Sequence, residues 1–191
     1  MRKVVLFAHI SLDGFAGDEN GGLGFLSYDG ELQKYAAELV KTVGSPLYGK
    51  TTYQLMEGYW PKVLNDPSED PHSLEHARWV DQIPKVVFST TLEDVTWNNT
   101  TLIRDNVAEE VNKLKQQPGK DLVIFGSPGL AKSLLKLGLI DEFKLTVHPI
   151  LLQKGISLFD GEADTSSLKL LESQTLGSGV VTLHYAFVNK K

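Results

Sequence analysis

The sequence predicts an α/β fold, a mixed and mostly parallel β-sheet flanked by helices and ending in a C-terminal antiparallel hairpin. Two observations carry this. Up to Gly138, apolar runs rich in β-branched residues alternate with helix-like stretches, the pattern of βαβ units. After Gly138 come long strands joined by a glycine-containing loop, which reads as antiparallel pairing.

Lys3–Ser11 is the first expected strand. Its apolar run, Val4 to Ile10, stops at Ser11-Leu12-Asp13-Gly14, too short for a signal-peptide core with a cleavage site or for a membrane span. A buried strand and a cytoplasmic protein are expected. Ser45–Tyr48, Lys85–Ser89 and Asp121–Phe125 are the next strands. Between them, Glu31–Val43 spaces Leu32, Tyr35, Ala36, Leu39, Val40 and Val43 as one helix face. Asn106–Lys115 does the same with Val107, Val111 and Leu114, and Pro128–Leu137 opens with proline at a permitted first turn. Phe143–Leu152, Leu168–Thr175 and Val180–Asn189 complete the strands, the last two flanking Leu176-Gly177-Ser178-Gly179. Leu12–Gly30, with six glycines, and Gly58–Ser73, with three prolines, read as long functional loops.

The chain has 191 residues, of which 41% are hydrophobic, enough for one sizeable core, so residues 1–191 read as a single domain. A net charge of −5 without a Lys/Arg cluster argues against nucleic acid and for a small-molecule partner. With no cysteine, disulfides, thiolate nucleophiles and Cys-ligated metals are excluded. His72 and His76 share a helical spacing but lack the Glu of a zinc-protease motif, so they read as solvated residues of a surface helix, and no metal is expected.

Gly44-Ser45-Pro46-Leu47-Tyr48-Gly49-Lys50-Thr51 matches the P-loop pattern letter for letter. A P-loop needs a strand before its first glycine and small residues that wrap phosphate, yet here a helix precedes Gly44 and Pro46-Leu47-Tyr48 are bulky. A smaller reading survives: a strand ending at Tyr48, a turn at Gly49, and a helix start whose free amides, beside Lys50, suit an anion. An ordinary glycine turn capped by Thr51 accounts for the same residues. Ile124-Phe125-Gly126-Ser127-Pro128-Gly129-Leu130 is a second strand–glycine–helix turn, and Phe88-Ser89-Thr90-Thr91 places three hydroxyls at a strand end, where open α/β sheets bind ligands. Three such strand ends together suit an extended dinucleotide.

These segments resemble a family: the dihydrofolate-reductase-like fold and, within it, the reductase domain of bifunctional riboflavin-biosynthesis deaminase/reductases and its stand-alone bacterial relatives. The resemblance rests on Ser11-Leu12-Asp13-Gly14, Gly49-Lys50-Thr51-Thr52-Tyr53, Lys85 to Leu92, and Phe125-Gly126-Ser127-Pro128-Gly129-Leu130. It continues through Gly138-Leu139-Ile140-Asp141-Glu142 to Pro149-Ile150-Leu151-Leu152 and Leu158-Phe159, in the family's order. It implies an NADPH-dependent oxidoreductase similar to 5-amino-6-(5-phosphoribosylamino)uracil reductase, and a homodimer. It implies Gly49, Lys50 and Thr51 at the cofactor phosphates, Ser89 and Thr90 near the adenosine ribose, and Gly126, Ser127, Gly129 and Leu130 at the diphosphate. Ala8 and the loop from Asp13 to Gly17 would face the nicotinamide, with Asp13 the candidate catalytic residue. Lys50 stands where the family often has Arg, which leaves both NADPH and NADH open. Tyr53 and Trp60 are candidate walls for an aromatic substrate, although core packing also suits Tyr53. A pterin reductase needs a carboxylate on the first helix, and Gln33 lies nearest that position. A non-catalytic dinucleotide-binding dimer is the alternative from another class.

Overall fold

The computed structural model describes residues 1–159, 161 and 166–188. Its strands are β1 (Val4–Ser11), β2 (Val43–Gly49), β3 (Lys85–Phe88), β4 (Thr100–Ile103), β5 (Asp121–Phe125), β6 (Glu142–His148), β7 (Leu168–Thr175) and β8 (Val181–Phe187). The helices are α1 (Gly30–Val40), α2 (Lys50–Leu64), α3 (Pro71–Gln82), α4 (Val107–Gln116) and α5 (Pro128–Lys136). The strands form one sheet in the order β4-β3-β2-β5-β1-β6-β8-β7. From β4 to β6 neighbours are parallel; β8 runs antiparallel to β6, and β7 to β8.

β1 is buried on both faces, which is why its sequence is almost continuously apolar. Val4, Leu6, Ala8 and Ile10 pack with Val111 of α4 and Leu130 and Leu134 of α5. Val5 and Phe7 point the other way, onto Leu39 of α1. Further along that second face, Tyr48, Val87 and Trp97 meet Tyr53 of α2 and Val80 of α3. The layered arrangement leaves the carboxyl ends of β1, β2, β3 and β5 open on one edge. Asp29 and Asp70 cap α1 and α3 by accepting backbone amides, and Pro71 occupies a permitted first-turn position in α3.

The structure departs from the sequence reading in five places. The first helix ends at Val40, and Val43 belongs to β2. The predicted loop Gly58–Ser73 is mostly helix: α2 continues through Gly58 and Pro61 to Leu64, and α3 starts at Pro71. Met56 and Trp60 pack against the Tyr53–Val80–Trp97 cluster, and that burial outweighs the backbone hydrogen bond Pro61 cannot make. β4 escaped the sequence reading because it is a four-residue, half-exposed strand behind the polar Asn98-Asn99. The strand expected over Phe143–Leu152 is Glu142–His148. The last strand begins at Val181, and its predicted end, Asn189, lies outside the described residues. No helix among the described residues is long and apolar enough to cross a membrane.

Candidate functional site

A cleft of about 1160 Å³ opens along the carboxyl ends of β1, β2, β3 and β5, the edge where open α/β sheets take ligands. One half is built from backbone turns. β2 ends at Gly49, which caps α2 without a side-chain hydrogen bond. β5 runs into Gly126 and Ser127, both left-handed at φ +56° and +44°, and Ser127 caps α5 with no side-chain bond to that helix. Its Oγ instead accepts from Gly49 N at 3.2 Å, tying the two turns together. Both helix starts therefore keep amides without a side-chain cap at the cleft, the arrangement that favours an anion. A methyl built on Gly126 or Gly129 meets nothing within 4 Å, so the backbone there is open to a ligand.

The P-loop pattern dissolves in three dimensions. Gly44 to Tyr48 is a sheet strand, and a side chain at Gly44 would meet Lys120 O at 2.4 Å. That glycine serves close packing and wraps no ligand.

Cations and hydroxyls line the far end of the same half. Lys50 Nζ donates to Thr91 Oγ1 at 3.2 Å. Ser89 Oγ accepts from Thr91 N and Leu92 N and so closes its own turn, while Thr90 also lines the cleft. Arg104, at the end of β4, lines it too and donates to the backbone carbonyls of Leu92 and Glu93. Sequence reasoning missed Arg104 because it missed β4.

The opposite half is apolar and aromatic, with Leu23, Leu26, Tyr28, Leu55, Met56 and Tyr59 in its wall. Trp60 joins them, its Nε1 donating to Met56 Sδ at 3.2 Å. His72 and His76 line the cleft and are not a solvated pair. The His76 ring sits 4.4 Å from Trp60 and 5.1 Å from Trp79, and burial, with His72 nearby, pushes its pKa down to about 4. Their helical spacing was legible, but which face α3 turns inward was not.

At the inner end of β1, Ala8 and His9 reach the cleft. His9 Nδ1 lies 2.6 Å from Thr146 Oγ1, and burial, followed by the neighbouring His148, pushes the His9 pKa down to about 4. A polar residue on the same strand face as Phe7, inside an apolar run, was the signal that could have singled out His9.

Three expected site residues lie elsewhere. The Asp13 carboxylate accepts from Ser11 Oγ at 2.6 Å and from Leu152 N and Gln153 N at 3.2 and 2.8 Å. It staples the β1 and β6 exits, is not in the cleft wall, and is held below the usual carboxylate range by the Ser11 bond and those amides. Gly17 is also outside the wall; its carbonyl accepts from Ile156 N at 2.9 Å, while its neighbour Ala16 does line the cleft. Tyr53 is 1% exposed, with its hydroxyl donating to Glu57 at 2.8 Å and accepting from Thr96 N and Trp97 N. The core-packing reading of Tyr53 is the one the structure bears out. Gly49, Lys50, Thr51, Ser89, Thr90, Gly126, Ser127, Gly129 and Leu130 all lie in the cleft wall.

A parallel sheet with this order, helices on both faces and a C-terminal antiparallel pair is the dihydrofolate-reductase-like fold. The dihydrofolate reductase from Enterococcus faecalis complexed with NADP(H) superposes with a TM-score of 0.65 at 14% identity, covering 98% of this chain and 97% of that one. A protein from Shewanella sp. PV-4 named for riboflavin biosynthesis reaches 0.77 at 20% identity, covering 98% and 99%. The model of the RibD C-terminal domain matches residues 2–182, and the chain belongs to that family. The uncharacterized protein YyaP of Bacillus subtilis (strain 168) is 35% identical over 186 residues, 96% of this chain and 94% of its own length.

Proposed function

We propose that the protein is an NADPH-dependent reductase of a small, planar, conjugated carbonyl or imine. The observation that carries this is the convergence of two helix starts without side-chain caps and the Ser89-Thr90 strand end on one cleft. A dinucleotide fits that half: Gly126, Ser127, Gly129 and Leu130 would hold the diphosphate, and Gly49 to Thr51 the adjacent phosphates. Lys50 and Arg104, flanking Ser89 and Thr90, supply charge for a ribose phosphate and favour NADPH over NADH. Such a cofactor, when bound, supplies a hydride. The chain's part is to orient the acceptor, exclude water and provide a proton.

Family membership favours a substrate like the pyrimidine of riboflavin biosynthesis, 5-amino-6-(5-phosphoribosylamino)uracil. The aromatic half of the cleft favours a substrate without phosphate, because among the described residues the Lys and Arg of the wall, Lys50 and Arg104, stand on the cofactor side. The pterin alternative has less support. Gln33 lines the cleft where a carboxylate is needed, while Glu31 accepts from Gly177 N and Glu38 pairs with Lys41. Residues 1–191 are read as one domain, supported by a single sheet that takes strands from both ends of the chain. A homodimer through the β7 edge is supported by the exposed Leu168, Leu170 and Leu171.

Trp60 lies in the cleft wall, so NADPH binding should quench its fluorescence or draw energy transfer from it. No response at millimolar NADPH and NADH overturns the dinucleotide reading. NADPH oxidation with a panel of the pyrimidine intermediate, dihydrofolate and planar quinones then separates reductase from non-catalytic binder.

A further inference from the structure

The apolar half of the cleft is a slot with a floor and two flanking helices. Phe7 of β1 and Phe125, the last residue of β5, both line the cleft and meet edge to face with ring centroids 5.9 Å apart. Tyr35 of α1 packs on Phe7 at 6.4 Å, and Trp79 of α3 packs on Phe125 at 6.2 Å, so the two helices stand on either side of this floor. From α1 comes Gln33, and from α3 comes His76, its ring 4.4 Å from Trp60.

Both side chains carry polar atoms that the protein leaves unanswered. Among the described residues no group hydrogen-bonds to either ring nitrogen of His76 or to the Gln33 carboxamide. Neither side chain is among those with sealed, unpartnered polar atoms, so these atoms are open to the cleft. Burial holds His76 neutral, its pKa pushed down to about 4. Near pH 7 it therefore offers one N–H donor and one nitrogen acceptor, while Gln33 offers two donors and a carbonyl oxygen. For packing alone, leucine or phenylalanine fills such a place without unmet polar atoms. Charge is missing from this half. Among the described residues the cleft wall has no Asp or Glu, and its Lys50 and Arg104 stand on the cofactor side. An ionised group entering the slot loses water and gains no counter-charge.

We propose that Gln33 and His76 determine substrate specificity, and that they select a planar heterocycle that is uncharged throughout and carries a cyclic amide edge. The proposal rests on the reductase reading above and narrows its substrate. A carboxamide matches an amide edge in both directions: its NH2 donates to the ring carbonyl while its oxygen accepts from the ring N–H. His76 meets a second polar atom of the ring, and the Phe7–Phe125 floor with Trp60 supplies apolar surface for the ring faces. Neither residue takes part in bond making. They bind and orient, and a site built on such hydrogen bonds rejects an analogue that lacks the matching group.

Three matched probes test this: isatin, a planar uncharged ring with a cyclic amide edge and a ketone; N-methylisatin, which lacks the N–H; and isatin-5-sulfonate, which adds an anion. In calorimetric titrations of the wild type, with and without NADP+, isatin should bind about tenfold or more tightly than either analogue, the scale of one neutral hydrogen bond. In NMR with isotope-labelled histidine, isatin should shift the His76 ring nitrogens, whose signals are those missing from H76F. Q33L should weaken isatin by about tenfold, to the level of N-methylisatin, whereas H76F should weaken both alike. The wild-type series needs no variant, so a variant that melts early leaves the test intact. Equal affinity for isatin and N-methylisatin, or no shift at His76 with millimolar isatin, overturns the amide-edge assignment, and equal affinity for the sulfonate overturns the selection for an uncharged ring. If isatin does not bind while other members of the panel above oxidise NADPH, this inference falls and the reductase reading stands. If isatin binds with the expected preference but neither it nor the panel oxidises NADPH, the reductase reading falls and the substrate role with it.

Discussion

Replacing Gly126 with alanine separates backbone strain from cofactor contact. Gly126 sits at φ +56°, where an L side chain costs about 1 kcal/mol, offset by a few tenths because alanine also restricts the unfolded chain. The added methyl meets nothing within 4 Å, so no packing penalty is added. The expected loss of stability is therefore about 1 kcal/mol, a fall in Tm of roughly 2–4 °C for a chain of this size. The empty space is the cleft itself. A methyl aimed there displaces a diphosphate lying against the β5–α5 turn, and NADPH should bind roughly tenfold to a hundredfold more weakly, about 1.4–2.8 kcal/mol. Gly138 is the matched control: it has φ +64°, nothing within 4 Å of its added methyl, and a place past the far end of α5, away from the cleft. G138A should lose similar stability in thermal melts and bind NADPH like the wild type in fluorescence titrations. If G126A and G138A bind NADPH equally well, the dinucleotide does not cross Gly126 and the assignment of this turn is wrong.

K50A and R104A should each weaken NADPH by about tenfold while changing NADH by less than about threefold, measured by the same titrations; equal losses for both cofactors would move these cations away from the ribose phosphate. His9 and His76 both fall from an ordinary 6.5 to about 4 in the folded chain, so between those values the unfolded chain binds more protons. Their stabilising contribution is full above about pH 6.5 and is lost as pH falls toward 4, by roughly 3 kcal/mol per ring. Urea melts across that range should show the decline, and His76→Leu should remove about half of it; an unchanged pH slope in that variant would show that His76 is not buried neutral. Asp13→Ala should leave NADPH affinity intact and speed hydrogen exchange at the Leu152 and Gln153 amides, whereas a loss of cofactor affinity without faster exchange would restore Asp13 to the site.

The chain's own pattern determined the sheet-and-helix alternation, the buried first strand, the antiparallel end and the three strand-end turns that line the cleft. These depend on short-range periods and on glycine and proline chemistry, both local properties. It also carried the resemblance that family membership bears out, because the motifs fall in order along one line. What lies between elements distant in sequence was decided only by packing. β5 inserts between β1 and β2, bringing Ser127 to Gly49, and parallel pairing sets His9 beside Thr146 across 137 residues. Tertiary burial carried α2 through Pro61, turned His76 inward and raised a strand at Thr100–Ile103, just before Arg104. Asp13 shows the limit most clearly. Its place beside a turn glycine was readable, but where its carboxylate points depends on two amides after β6, and only folding brings those within hydrogen-bonding distance.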